Sequence, residues 1–150
     1  GYGADKGIIC FGYTSSSTAI SNLISNSGVV ASDTSAVSGV TARHGRPAAA
    51  RYGGVDAGTA FFAYGTGPVN MKNLVNNSGV IAADVTGVGT AREDLAAATY
   101  GPGATTAICA FGNTGSVTSI SNLVNSSGVV ASDTTGVGTA RGALSAAEFG

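Results

Sequence analysis

Six of the fifteen charged residues recur at fixed places in the chain. They are Asp33, Asp84 and Asp133, spaced 51 and 49 residues apart, and Arg43, Arg92 and Arg141, spaced 49 apart twice. Such a set can form a ring of ligand sites. It can equally form structural pairs, in which the arginine fork satisfies a carboxylate or backbone carbonyls between neighbouring strands or blades. A lone buried charge is costly and a repeated partner removes that cost, so the structural pair is the preferred reading. Asn22, Asn73 and Asn122 keep the 51 and 49 spacing. Their amides suit bonds to nearby backbone, with sugar contact as the alternative.

Other chemistry is sparse. His44 is the single histidine, and its counterparts in the later repeats are Glu93 and Gly142. No His/Cys cluster has metal-ligand spacing, and no Gly-x-Ser-x-Gly elbow occurs. Gly87-Val-Gly89 and Gly136-Val-Gly138 lack the third glycine of a phosphate-binding loop and its strand-to-helix context. Glu93 and Asp94 adjoin, so on a strand they would face opposite ways, and a solvated loop is expected. The sequence therefore predicts no catalytic residue, no metal ligand and no cofactor. Cys10 and Cys109 each sit in an apolar run, as two buried free thiols or as one bridge.

Composition narrows the class. The 150 residues include 24 Gly and only 10% charged residues, with a net charge of -1. Seven scattered basic residues are too few to neutralise a nucleic-acid backbone. No apolar run approaches the roughly 18 residues that span a bilayer as a helix. With 43% hydrophobic residues the chain opposes the disordered signature. It opens without Met or a signal-like segment, which reads as a processed product or an excerpt.

The elements that must position the charged residues follow from the repeat. Ile20-Ser-Asn-Leu-Ile-Ser-Asn-Ser-Gly-Val-Val-Ala-Ser-Asp33 returns almost unchanged as Ile120 to Asp133, and more loosely as Met71 to Asp84. Each unit holds an Ala-rich segment ending in aromatic-Gly (Tyr52, Tyr100, Phe149). An apolar segment ending the same way follows (Phe11, Tyr64, Phe111), and then a pair of segments flanking a turn such as Asn125-Ser-Ser-Gly128. Short segments, period-two stretches and glycine punctuation predict strands, with a hairpin at that turn. Leu95 to Thr99 is too short to make a helix against that context. The aromatics before glycine are expected to pack between sheets.

Four strands in about 49 residues match one propeller blade; a β-helix with two coils per repeat is the rival. The expected fold is all-β: one repeat domain, 1–150, with units at 1–52, 53–100 and 101–150. The chain opens at Gly1-Tyr2-Gly3, which matches the tail of the Ala-rich strand, and closes on Leu144 to Gly150, which is that strand nearly whole. Propellers close their ring in this way, which also removes an open sheet edge. Three blades are fewer than the usual four to eight, so another copy or a longer chain would complete the ring. The connectors that vary between units are the recognition candidates: Tyr13, Thr14 and Ser15; Thr66 and Asn70; Asn113 and Thr114.

With these landmarks the chain resembles the kelch-like, Gly/Ala-rich repeats of virion structural proteins of tailed phages. The residues that carry the resemblance are Gly87-Val-Gly-Thr-Ala-Arg92, Gly136-Val-Gly-Thr-Ala-Arg141, the Asn-Leu-Val/Ile and Ser-Gly-Val runs, and the aromatic-Gly strand ends. The double glycine and the tryptophan of cellular kelch blades are missing. The resemblance implies a non-enzymatic propeller on a tail, fibre or other appendage, virion-borne or extracellular. Its expected partners are further copies or other segments of the same assembly, and a surface glycan, with no nucleic acid or membrane. A soluble oligomeric propeller lectin is the alternative.

Overall fold

The computed structural model of the chain describes residues 5–44, 46–87 and 89–149. These residues are all-β, with one 3-10 turn at Pro102–Ala104 and no α-helix. The strands are β1 (Gly7–Tyr13), β2 (Ser17–Ile24), β3 (Ala48–Tyr52), β4 (Thr59–Ala63), β5 (Met71–Val75), β6 (Val85–Thr86), β7 (Ala96–Tyr100), β8 (Thr106–Ala110) and β9 (Ser121–Val124). They form three small antiparallel sheets, ordered β1-β2, β3-β4-β5-β6 and β7-β8-β9.

The second and third sheets share one register. Ala48 to Tyr52 lies opposite Ala63 to Thr59, and Ala96 to Tyr100 lies opposite Ala110 to Thr106. Each Ala-rich strand thus pairs forward, with the apolar strand that follows it. Sheet boundaries fall before Ala48 and Ala96, not at the cuts 52/53 and 100/101. Small side chains allow close approach, and β3 packs against β7.

Adjacent residues on β4 serve different neighbours, as period-two alternation requires. Phe62 joins Phe11, Ala19, Val75 and Ile81 in a cluster between the first and second sheets. Phe61, Ala63 and Tyr64 join Tyr52, Leu95, Ala107, Cys109, Val124 and Val130 between the second and third. The middle sheet is therefore covered on both faces. The predicted hairpin turn is present: Gly128 N–H donates to Asn125 O (2.9 Å) and Asn125 N–H to Val129 O (3.0 Å). The Asn125 side-chain oxygen accepts from Ser127 N–H and Val129 N–H, both at 2.9 Å.

The strand number departs from four per unit: the sheets have two, four and three. Val129 to Asp133 and its counterpart in the first unit make single bridges, Val124 with Val130 and Ile24 with Val30, in place of a ladder. In all three units the amide of the repeated asparagine takes a carbonyl of this segment, that of Ala31 (3.1 Å), Ala82 (3.0 Å) or Ala131 (3.0 Å). Leu144 to Phe149 forms no strand, and Phe149 is exposed. The match at Gly1 to Gly3 lies outside the described residues. The described residues do not close into a ring.

Candidate functional site

The recurring charged residues meet across the sheets. Arg43 follows the first sheet, and its side chain is buried against the second. Its guanidinium lies 4.1 Å above the Phe11 ring. Nη2 donates to Asn73 Oδ1 and to Phe62 O (3.4 Å), and Nη1 stands 3.8 Å from Asp84 Oδ1. Arg92 repeats this one sheet further on. It lies 4.5 Å above Tyr64, donates to Asn122 Oδ1 (2.5 Å) and Cys109 O (3.4 Å), and stands 3.8 Å from Asp133 Oδ1.

Each arginine thus locks its own sheet to the next. Its direct partner is the asparagine, and the carboxylate stands behind. The asparagine Nδ2 donates to the aspartate, at 2.8 Å in Asn73–Asp84 and 2.9 Å in Asn122–Asp133. That turns the amide so that its oxygen faces the guanidinium. The aspartate is held in turn from the preceding sheet's side. Thr41 N–H donates to Asp84 (2.9 Å), and Thr90 donates to Asp133 through N–H (3.0 Å) and hydroxyl (2.6 Å). The Nε of Arg43 and of Arg92 is buried without a hydrogen-bond partner, and the aromatic face adds to the amide, carbonyl and carboxylate in compensating the buried cation.

The aromatic platform requires an unusual backbone. Phe11, Tyr64 and Phe111 hold φ of 66°, 65° and 64°, each followed by a glycine that is also at positive φ. Bulky residues rarely occupy this region, and its threefold recurrence ties it to the arginine. Tyr64 adds a bond from its hydroxyl to Asn122 Oδ1 (3.0 Å). Burial pushes that phenol up to about 12 against the nearby Arg92 charge.

The carboxyls of Asp84 and Asp133 sit below their ordinary range. Burial acts to raise them, but the bonds from Thr41 and Asn73, or from Thr90 and Asn122, and the adjacent arginine outweigh it. Cys10 and Cys109 are both free thiols. Burial pushes them up to about 11 and about 12 despite Arg43 and Arg92 nearby.

Sequence reasoning missed the direction of the pairing and the platform. The offset from Asp to the following Arg varies, as 10, 8 and 8, whereas Arg43 to Asp84 and Arg92 to Asp133 both span 41. That constancy was the available signal. Asp33 and Arg141 do not meet. Asp33 takes a bond from Asn22 (2.8 Å), and Arg141 lies 4.0 Å above Phe111 and donates to Thr139 O (3.2 Å).

The candidate recognition residues divide. Tyr13, Thr14 and Ser15 are exposed, and the Tyr13 ring lies 5.1 Å from that of His44, whose Nδ1 is 2.6 Å from Ser17 Oγ. Thr114 is also exposed. Thr66 N–H is bonded to His44 O (2.9 Å). Asn70 donates to Gly87 O and Gly89 O, both at 3.2 Å, and Asn113 exchanges backbone bonds with Glu93 (2.8 and 3.0 Å). The last two brace the fold, and Glu93 is part of a bridge, not a solvated loop. Asp94 pairs with Arg46 at 3.0 Å.

Among the described residues, no group of three or more His, Cys, Asp or Glu could hold a metal ion, and no helix is long and apolar enough to cross a membrane. No protein-family model matches the chain, and no curated protein matches it at a significant level.

Proposed function

We propose that the chain is a non-enzymatic assembly module, a kelch-like propeller array from a phage tail, fibre or other extracellular appendage. The observation that carries this reading is the arginine joint. The scarce charged groups are spent on fastening one sheet to the next, twice over with the same atoms. Sheets packed face to face in chain order are what blades around an axis require, and further units of the same kind would complete the ring. On this reading the exposed Tyr13 to Ser15 connector faces outward, toward a surface glycan. Immunogold labelling of purified particles or filaments with antibody to this chain tests it. Regular labelling on an appendage is expected; particles and filaments that stay bare overturn it.

The exposed Tyr13 ring favours one second reading, a soluble lectin. An aromatic face beside His44 and Ser17 offers stacking and hydrogen bonds together. Glycan-array binding that free sugar inhibits and Tyr13→Ala abolishes would support it.

A further inference from the structure

We propose that Arg141 of one copy of this chain locks into a seat formed by Asn22 and Asp33 on a second copy, joining copies head to tail. The inference rests on the assembly reading above and names its partner and its contact. Three independent features lead to it.

The first is chemical. Asn22 has its amide nitrogen committed to Ala31 O and Asp33, as in the internal joints, and among the described residues its Oδ1 has no partner where Asn73 and Asn122 receive an arginine. Ile9 lies opposite Asn22 in register, as Phe62 lies opposite Asn73 and Cys109 opposite Asn122. The Ile9 carbonyl therefore stands where the internal joints offer their second acceptor. At the other end, Arg141 already has its aromatic platform, and Thr139 stands where Thr41 and Thr90 grip an aspartate.

The second is apolar. Ile9 is 52% exposed and Val30 54%, whereas their counterparts Phe62 and Ile81 are 6% and 7% exposed, and Cys109 and Val130 are 0% and 4%. The face that a preceding sheet covers twice within the chain is bare on the first sheet. The opposite face is bare on the third: Tyr100 is 41% exposed where Tyr52 is 8%.

The third is steric. A Cβ on the turn glycine Gly79 would meet Leu23, and one on Gly128 would meet Leu74 and Tyr52, because each hairpin turn rests on the sheet before it. At Gly28 a Cβ would meet nothing within 4 Å. Charge, apolar surface and shape thus match between the two ends. The fitting occupant is another copy of this chain, which carries the missing half of the joint.

Sedimentation velocity over a concentration series of the full chain tests the proposal, with Arg141→Ala and Asp33→Ala alongside. Wild type is expected to exceed the 14.4 kDa monomer as concentration rises. Each variant should keep the wild-type circular dichroism and lie within about 1 kcal/mol of wild-type stability at low concentration, because among the described residues neither forms an ion pair and their local contacts, Asp33 with the Asn22 amide and Arg141 with the Phe111 ring and Thr139 O, are exposed. Each should weaken association about 30-fold or more, as for one half of a desolvated charge pair. An equimolar mixture should form dimers and nothing larger, since one variant keeps its seat and the other its arginine. Wild type that stays monomeric throughout overturns the proposal. Association unchanged in both variants also overturns it, while leaving the assembly reading to stand or fall on labelling.

Discussion

A buried guanidinium can be held for strength or for direction, and Arg92 shows which matters here. It is fully buried, two of its bonds reach the next sheet, and its Nε goes unpaired. A buried ion pair contributes little beyond an apolar core of the same shape, but removing one partner is costly. Arg92→Ala should therefore lower stability by about 3 kcal/mol or more, a fall of roughly 6–12 °C in Tm for a chain of this size. Arg92→Lys should recover only part of it, because an ammonium cannot reach two acceptors while stacking flat on Tyr64. Unchanged melting of Arg92→Ala would make the joint incidental. The aspartates set a pH dependence. Their folded pKa lies below the unfolded value of about 3.9, so the stability they add is present above that pH and is lost as pH falls through the folded pKa. Urea midpoints taken from pH 7 to pH 3 should fall at the acid end. Asp133→Asn should start lower at pH 7 and show the shallower acid slope.

At the scale of the element, the hairpin turn does two jobs that a pair of glycine variants separates. Gly28 and Gly128 occupy the same place in their repeats, at φ of 78° and 74°. Alanine at either should cost about 1–2 kcal/mol for the left-handed backbone. At Gly128 the new methyl also meets Leu74 at 2.8 Å and the Tyr52 ring at 3.0 Å. Chemical denaturation should therefore find Gly128→Ala about 1 kcal/mol worse than Gly28→Ala, and equal losses would mean that the turn does not bear on its neighbour. The strands and these turns were legible in the sequence, since period-two apolar stretches between glycines admit little else. The pale fourth strand was not. Val129 to Asp133 has strand composition, and only the Asn122 amide, arriving from a neighbouring strand, takes its carbonyl. The left-handed Phe11, Tyr64 and Phe111 were equally hidden, because the strain at an aromatic is offset by a cation dozens of residues away. Period alone could not say whether an arginine serves its own sheet or the next. Both arrangements repeat every 49 residues, and only the constant 41-residue offset separates them.

Taken as a whole, the molecule is a series of three sheets whose two joints are built alike and filled unequally. Among the described residues, ten buried side chains fill the joint between the second and third sheets, against five between the first and second. The fuller joint also has the Tyr64 hydroxyl on Asn122 and a bond from buried Lys72 Nζ to Gly128 O (2.6 Å). The other joint has Phe11 in place of Tyr64, and beside it lies a cavity of about 260 Å³ lined by Ile8, Leu23 and Phe62. Under tension the two joints would not yield together. Pulled from its ends in an optical trap, the chain should part first behind Arg43, at the lower force, and give way behind Arg92 in a second, higher event. Tyr64→Phe should bring the two forces closer. If the chain works in an appendage that is dragged or bent, the unequal filling of its two joints, the Tyr64 phenol included, decides where it stretches and where it holds.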